Sequence, residues 1–346
     1  MTAVGEHLRI ESDKWSRTSP DLTVNLCGVT LPNPIVLASG ILGTSAALMA
    51  RVAAAGAGAV TSKSCGPSSR AGHPNPTVLK WGPGFINAVG LANPGVDAEV
   101  RILQDTKRRL EALAEDHMRP ALIASIFAES VEGFAYVADR VTAAQPDLIE
   151  VNISCPNLGH ELGMPFAAYP ETAAMVTAAV KAATDIPVIV KLSPNVTDIA
   201  AIARAVAEAG ADAIAAINTV AGMVIDVHLA YPILANLEGG LSGPAIKPIA
   251  VRCIWQIHQA VPHVPIVGIG GVSSGEDAAE LLMAGATAVG VGSAVYYRGV
   301  DTLGQIAHEL TDFMVAESYA SVRHLVGLAH RAQPVSRIPS PPVVES

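Results

Sequence analysis

The sequence predicts an α/β fold, and within that class a (β/α)8 TIM barrel. From about Thr23 onward, short apolar segments rich in β-branched residues alternate with Ala-rich amphipathic stretches. Eight such units can be read along the chain, which is the number that closes a barrel. The apolar segments show no alternation of polar residues, as is typical of parallel strands that are covered by helices on both faces.

The predicted strands, in chain order, are 33–39 (NPIVLAS), 57–64 (AGAVTSKS), 121–128 (ALIASIFA), 147–154 (DLIEVNIS), 187–193 (PVIVKLS), 212–220 (DAIAAINTV), 264–271 (VPIVGIGG) and 286–295 (ATAVGVGSAV).

Helices are predicted between these strands, for example at 172–184, 196–211 and 273–286. The last of these, SSGEDAAELLMAGA, has Ser, Glu and Asp at its start and Gly near its end, as helix termini prefer. A doubly wound open sheet is the alternative fold. It usually carries a GxGxxG turn after its first strand, whereas the turn here reads ASGILGTS, so the barrel is favoured.

The chain has 346 residues, a length that suggests two domains unless it forms one α/β barrel. Its 30 glycines and 24 prolines are scattered and do not mark a linker. We therefore expect one barrel domain at 22–331. A mobile N-terminal tail at 1–21 and a C-terminal tail at 332–346 complete the expected organisation.

Composition disfavours several classes of function. The net charge is −9 and there is no basic run, so no nucleic-acid partner is expected. No apolar run reaches the ~18 residues of a membrane span, and the first twenty residues lack the apolar core of an export signal. The four cysteines form no CxxC pair, so no metal site and a cytoplasmic location are expected.

Polar residues recur where the predicted strands end, which is where a barrel carries its chemistry. Lys63, Asn152, Cys155, Lys191 and Asn218 all hold such positions. The sequence therefore predicts one active site at the carboxyl ends of the strands.

Glycine-rich turns follow the last two predicted strands, in GIGGVSSGEDA (268–278) and GVGSAVY (290–296). Backbone without side chains can approach phosphate oxygens, and helix N-termini direct N–H groups at the anion. GGLSGPAIKP (239–248) offers a third such turn through Ser242 and Gly243. A plain tight turn is the alternative for each one, but two at these strands favour a phosphate-bearing ligand.

Lys63 and Lys191 end apolar strands, where an ammonium group needs a partner unless it reaches solvent at the barrel rim. A flavin that carries negative charge near N1 when reduced would be such a partner. Asparagine side chains, which offer one acceptor and two donors, suit a pyrimidine-like amide ring. The asparagines at predicted loop positions are Asn87, Asn93, Asn152, Asn157 and Asn218.

Cys155 lies in the motif VNISCPN, between two asparagines and directly before a proline. A cysteine with a pKa near ~8.5 can act as a base once it is partly deprotonated. An inert buried thiol is the alternative, and it is the interpretation for Cys27, Cys65 and Cys253. For Cys155 the polar neighbours and the proline favour a general base.

The chain resembles the dihydroorotate dehydrogenase family, and within it the class 1B catalytic subunit. The resemblance runs from about Leu22 to Arg331. It is carried by the motifs VNISCPN, VKLSPNVTDI, INTV, PILANLEGGLSGPAIKPIAVR, GIGGV and GVGSAV.

The resemblance implies an FMN enzyme that oxidises dihydroorotate to orotate, with Cys155 as the catalytic base. The residues it implies for substrate binding are Lys63, Asn87, Val89, Gly90, Leu91, Asn152, Asn157, Asn218 and Thr219. Those it implies for FMN are Ser39, Lys63, Ser64, Asn152, Lys191, Ile217, Gly243, Gly270, Gly271, Gly292 and Ser293.

The resemblance further implies a homodimer and a separate FAD and iron–sulfur subunit that passes electrons to NAD. Two segments depart from the family pattern, CGPSSRAGHPNPTVLKW (65–81) and LGHELGMPFAAYPE (158–171). The second has features of dihydropyrimidine dehydrogenase, and its His160 is a candidate for tuning Cys155. A dihydrouracil-type dehydrogenase and a non-catalytic flavin-binding subunit therefore remain as alternatives.

Overall fold

A computed structural model of the chain describes residues 19–114, 118–154 and 166–331. Within these residues, eight parallel strands pair with their neighbours in chain order and close into a barrel. They are numbered here in chain order as β1 Ile35–Leu37, β2 Ala59–Thr61, β3 Ala121–Ile126, β4 Leu148–Asn152, β5 Val188–Lys191, β6 Ala213–Ala216, β7 Ile266–Ile269 and β8 Ala288–Val291.

The barrel strands form because their residues are apolar on both faces. All residues of β3 and β4 are buried, which a strand achieves only between a packed interior and a layer of helices. The barrel closes where β8 pairs with β1, with Val291 opposite Leu37. The predicted (β/α)8 barrel is confirmed, and the open-sheet alternative is wrong.

The predicted strand ends are less accurate than their centres. The eighth predicted segment runs to Val295, but β8 ends at Val291 and residues Ala294 and Val295 begin a short helix. The sixth predicted segment runs to Val220, whereas β6 ends at Ala216. In both cases the chain leaves the barrel to form the loops of the site.

Helices cover the barrel in chain order. They are α1 Ala46–Ala54, α2 Val96–Ala112, α3 Val131–Thr142, α4 Pro170–Ala183, α5 Ile199–Glu208, α6 Lys247–Ala260, α7 Gly275–Met283, α8 Ala294–Arg298, α9 Thr302–Ala316 and α10 Leu328–Arg331. Short 3₁₀ turns lie at Phe166–Ala168, Pro244–Ile246 and Val322–His324.

Several helices begin at the polar residues that favour N-caps. Ser45, Ser130 and Asp198 each accept a hydrogen bond from a backbone N–H in the first turn of the helix that follows. Ser274 does the same for α7, whose first turn carries Glu276 and Asp277, as the sequence predicted for this segment.

An antiparallel hairpin, Val24–Leu26 with Val29–Leu31, precedes β1. Its buried Leu26 and Leu31 belong to the same hydrophobic core as the barrel strands. The hairpin therefore packs against the barrel.

A four-stranded antiparallel sheet lies in the loops that follow the carboxyl ends of two barrel strands, and we call it the cap sheet. Its strands, in spatial order, are Val220–Gly222, Gly239–Ser242, Gly84–Asn87 and Val78–Trp81. Two come from the loop after β2 and two from the loop after β6. A further two-stranded pair, Ile225–Asp226 with Tyr231–Pro232, extends from the second loop.

No helix among the described residues is long and apolar enough to cross a membrane. The boundaries predicted for the domain and its tails remain predictions.

Candidate active site

A cavity of about 440 Å³ opens at the carboxyl ends of the barrel strands, beneath the cap sheet. Every residue that the family resemblance implies for substrate or FMN, within the described part of the chain, lines it. These are Ser39, Lys63, Ser64, Asn87, Val89, Gly90, Leu91, Asn152, Lys191, Ile217, Asn218, Thr219, Gly243, Gly270, Gly271, Gly292 and Ser293. The convergence of these residues follows from the parallel barrel, which gathers all eight strand ends at one rim.

Three predictions fall outside the described residues, namely Cys155, Asn157 and His160. Their nearest described neighbour along the sequence, Ser154, is buried next to Asn152. Asn93, the fifth asparagine of the sequence pattern, is a turn residue: its Oδ1 accepts hydrogen bonds from the Gly95 and Gly66 backbone N–H groups. It does not line the cavity.

A buried ammonium group forms part of the cavity wall. Lys191, the last residue of β5, is only 4% exposed, and its Nζ donates a hydrogen bond of 2.9 Å to Ser39 Oγ. Its Nζ also lies 3.6 Å from Glu150 Oε1 on the adjacent strand β4. The predicted alternative of a lysine that reaches solvent is therefore wrong for Lys191.

A chain of buried hydrogen bonds continues from this ion pair. Ser125 Oγ donates to Glu150 Oε1 over 2.9 Å and lies 2.8 Å from Ser64 Oγ. Ser64 Oγ in turn accepts from Asn152 Nδ2 at 3.3 Å. This series of hydrogen bonds connects strands β3, β4 and β5 at the base of the cavity. Polar groups that would be costly to bury alone therefore satisfy one another.

The amide groups of Asn152 and Asn218 have defined orientations. Ser154 Oγ donates to Asn152 Oδ1 over 2.8 Å and accepts from Asn218 Nδ2 over 2.6 Å. Asn218 Oδ1 accepts from the Thr219 backbone N–H at 2.8 Å. Asn152 Nδ2 uses one N–H on Ser64 Oγ, and the second N–H of Asn218 Nδ2 makes only a long contact of 3.5 Å with Asn152 Oδ1. One N–H of each amide is therefore available to a bound carbonyl or carboxylate.

Glycines shape the end of the cavity after β7 and β8. Gly271 has a φ of +76°, and a Cβ there would lie 2.9 Å from the Lys247 backbone nitrogen, so other residues would be strained. A Cβ at Gly292 would meet only Ala38 Cβ, at 3.9 Å, and would otherwise enter the open cavity. This space is suited to a phosphate held by backbone N–H groups.

The cap sheet and α8 supply an aromatic border to the cavity. Phe85 and Tyr296 both line it, and their rings meet edge to face with centroids 4.8 Å apart. Tyr297 packs against both, with centroids 5.6 Å from Phe85 and 5.1 Å from Tyr296. An apolar border beside a polar floor suits a ligand with a flat, partly apolar ring.

Comparison with known sequences decides the family. The sequence profile of the dihydroorotate dehydrogenase family matches residues 21–314, which is most of the chain.

The chain belongs to the dihydroorotate dehydrogenase family.

Relatives within this family share more than two fifths of the sequence over nearly their whole length. A protein of Methanosarcina acetivorans is 45% identical over 318 residues, which cover 92% of this chain and 97% of the relative. One of Methanocaldococcus jannaschii is 45% identical over 309 residues, covering 89% and 98%. One of Geobacter sulfurreducens is 42% identical over 310 residues, covering 89% and 98%. Each is named dihydroorotate dehydrogenase B (NAD(+)), catalytic subunit.

Membership of the dihydroorotate dehydrogenase family makes this chain an oxidoreductase, and the family is in general flavin-dependent. The residues that line the cavity fit such a group. Lys191 presents an ammonium at its floor, and the space beside Gly292, where an added Cβ would meet only Ala38 Cβ, leaves room for an anion.

The cysteines interpreted as inert have environments that disfavour the thiolate. Burial raises the pKa of the Cys27 thiol to about 12 and raises that of Cys65 and Cys253. None of these three lines the cavity. They are therefore unsuitable as bases for dihydroorotate dehydrogenase chemistry, in agreement with the sequence interpretation.

The sequence did not predict four residues that border or support the candidate site, namely Glu150, Ser125, Phe85 and Tyr296. Glu150 had a visible signal, since it is a charged residue in the middle of a predicted buried strand, as Lys191 is in the next. A buried carboxylate and a buried ammonium on adjacent strands predict an ion pair. The aromatic residues had no comparable signal, because their contact depends on the cap sheet.

Proposed function

We propose that this chain oxidises dihydroorotate to orotate with bound FMN, as a step of pyrimidine nucleotide (UMP) synthesis. The observation that carries the proposal is the convergence of Lys63, Lys191, three asparagines and the glycine turns on one cavity. The names of relatives about 45% identical to the chain support the same substrate.

FMN would be held at two ends. The turns that contain Gly270, Gly271, Gly292 and Ser293 would bind the phosphate, with Gly243 beside them. Lys63, Lys191, Ser39, Ser64, Asn152 and Ile217 would contact the ring system. When bound, FMN supplies the acceptor for a hydride. The Lys191 ammonium would stabilise the negative charge that reduction places on the ring near N1.

The substrate would bind above the polar floor. Asn152 and Asn218 would each donate one amide N–H to its carbonyl and carboxylate oxygens, while the other N–H donates to Ser64 Oγ or Ser154 Oγ within the protein. Asn87, Asn157, Lys63 and Thr219, with the backbone of 89–91, would complete the contacts. Cys155 would remove the proton at C5 as the hydride leaves C6, so that the C5–C6 double bond of orotate forms.

The electrons would leave through another protein. The relatives are named as catalytic subunits of an NAD(+)-dependent enzyme, which supports a separate electron-transfer subunit. We propose that this subunit carries FAD and an iron–sulfur cluster and passes the electrons to NAD. We also propose that the chain forms a homodimer and acts in the cytoplasm.

Anaerobic flavin reduction tests the proposed substrate. The purified protein, reconstituted with FMN, should lose its visible flavin absorption when dihydroorotate is added, and orotate should form in equal amount. Dihydrouracil, which lacks the carboxylate, is the matched control and should leave the flavin oxidised. Reduction by dihydrouracil alone would instead support the dihydrouracil-type alternative, and a protein that binds no FMN would contradict the proposal.

A further inference from the structure

A buried carboxylate lies one layer below the cavity. Glu150 precedes Asn152 by two residues on β4, so both side chains point into the barrel. The Glu150 side chain is 5% exposed and accepts a hydrogen bond from Ser125 Oγ. It lies 3.6 Å from Lys191 Nζ and does not line the cavity, so Lys191 is the charged cavity residue through which it would act on a bound ligand.

The charge balance of the cavity gives this carboxylate a role. Among the described residues that line the cavity, Lys63 and Lys191 carry the charged side chains, and both are positive. Glu150 is the carboxylate paired with Lys191. Interactions between charges are much stronger in a buried site than in water, so Glu150 strongly affects what Lys191 presents to a ligand.

We propose that Glu150 is a positioning residue for the cofactor: it holds the Lys191 ammonium against the barrel wall, offsets its charge, and so limits how strongly the cavity favours reduced FMN. This inference rests on the proposed binding of FMN. Loss of the carboxylate has two effects of the same sign, because it removes an opposing charge and releases the ammonium to approach the ring. Both effects stabilise the negative charge of the reduced cofactor.

The midpoint potential of bound FMN tests this inference without using the substrate. It is measured by equilibration with a reference dye at saturating FMN. Glu150→Gln keeps the shape of the side chain but removes its charge. It should raise the equilibrium constant for two-electron reduction about tenfold, which corresponds to a midpoint potential about 30 mV higher. In a Lys191→Gln background the same change should raise the potential by less than half as much, because no ammonium remains to be released.

Two further variants separate charge from packing. Glu150→Asp keeps the charge but draws it back from Lys191 by one methylene, and should raise the potential by less than Glu150→Gln does. If Glu150→Gln does not fold, the midpoint potential of Glu150→Asp serves as the test. Ser125→Ala removes the hydrogen bond to Glu150 but neither charge, and should shift the potential least.

An unchanged or lowered potential in Glu150→Gln would overturn the inference. An equal rise in both Lys191 backgrounds would also do so, since Glu150 would then act on the cofactor directly. A shift in Ser125→Ala as large as that in Glu150→Gln would show that packing is responsible. If the protein binds FMN and is reduced by dihydroorotate while the potential is unchanged, only this inference fails and the proposed function stands.

Discussion

Lys191 Nζ and Ser39 Oγ meet 2.9 Å apart, although 152 residues separate them along the chain. Lys191 ends β5 and Ser39 follows β1, and these strands lie on opposite sides of the eight-stranded ring. Their hydrogen bond therefore joins opposite sides of the barrel at the carboxyl ends of its strands. It places a positive charge at the floor of the cavity, where a bound cofactor would lie.

Lys191→Met should weaken FMN binding. The variant removes a charged hydrogen-bond donor, which is worth ~1.5–3 kcal/mol, so the Kd for FMN should rise about 10- to 100-fold. Quenching of FMN fluorescence by the apoprotein measures this constant. Lys107→Met is the matched control, since Lys107 donates to the Gln145 carbonyl on the outer surface. A Kd within about threefold of the wild-type value would contradict the assignment of Lys191.

Gly292→Ala should weaken FMN binding without unfolding the protein. The added methyl group would meet only Ala38 Cβ at 3.9 Å, so the fold accepts it, but it would occupy the space assigned to the phosphate. We expect about a tenfold higher Kd, or ~1.4 kcal/mol, with little change in Tm.

Gly222→Ala provides the comparison for Gly292→Ala. Gly222 lies in the cap sheet outside the cavity lining, and its added Cβ would make ordinary contacts of 3.8 and 3.9 Å. If both alanine variants bind FMN equally well, the phosphate does not lie beside Gly292.

Cys155→Ala should retain FMN but reduce it slowly with dihydroorotate. Loss of a general base typically lowers a rate by ~10²–10⁴-fold. Stopped-flow measurement of flavin reduction under anaerobic conditions gives this rate directly. Cys65→Ala is the matched control, because Cys65 is a buried cysteine that does not line the cavity.

Cys155→Ser should keep some activity, with its pH profile displaced upward, because a serine hydroxyl needs stronger activation to lose its proton. Identical pH profiles for the serine and alanine variants would remove the distinction on which the base assignment depends.

Glu99 should make the protein less stable as pH rises. Burial on α2 raises the pKa of Glu99 to about 7, and its Oε1 has no hydrogen-bond partner within the described structure. The unfolded chain releases this proton near pH ~4.3, so the folded state binds it more tightly. The stability it contributes is complete below that pH and is lost as pH rises through 7.

Glu99→Gln removes this titration and tests its effect. Relative to the wild type, the variant should gain roughly 2–3 kcal/mol of unfolding free energy between pH 5 and pH 8. Urea unfolding at the two pH values measures the difference. Glu111→Gln, at an exposed position of the same helix, is the control. An equal effect of Glu99→Gln at both pH values would contradict the prediction.

The barrel could be predicted from the sequence because its signals are local. Runs such as ALIASIFA and PVIVKLS are apolar on both faces, and helices between them begin at Ser or Asp caps. Once the strands are parallel, topology brings their ends together. Lys63, Asn152, Lys191 and Asn218 could therefore be assigned to one rim without any knowledge of their distances.

The cap sheet could not be predicted in this way. GGLS at 239–242 contains two glycines and resembles a turn, and its pairing with Gly84–Asn87 crosses more than 150 residues. The Asn87 side-chain amide donates to the Gly240 carbonyl, a contact that no local pattern indicates. The aromatic border formed by Phe85 and Tyr296 was missed for the same reason.

The cap sheet also constrains how this enzyme can be redesigned. Its inner strands, Gly84–Asn87 and Gly239–Ser242, lie in separate loops, after β2 and after β6, and are joined in register by main-chain hydrogen bonds. If one of these loops were replaced by the corresponding loop of a homologue, its strand would have to pair with a strand whose length and spacing suit the original loop. Functional chimeras should therefore require that both loops are exchanged together.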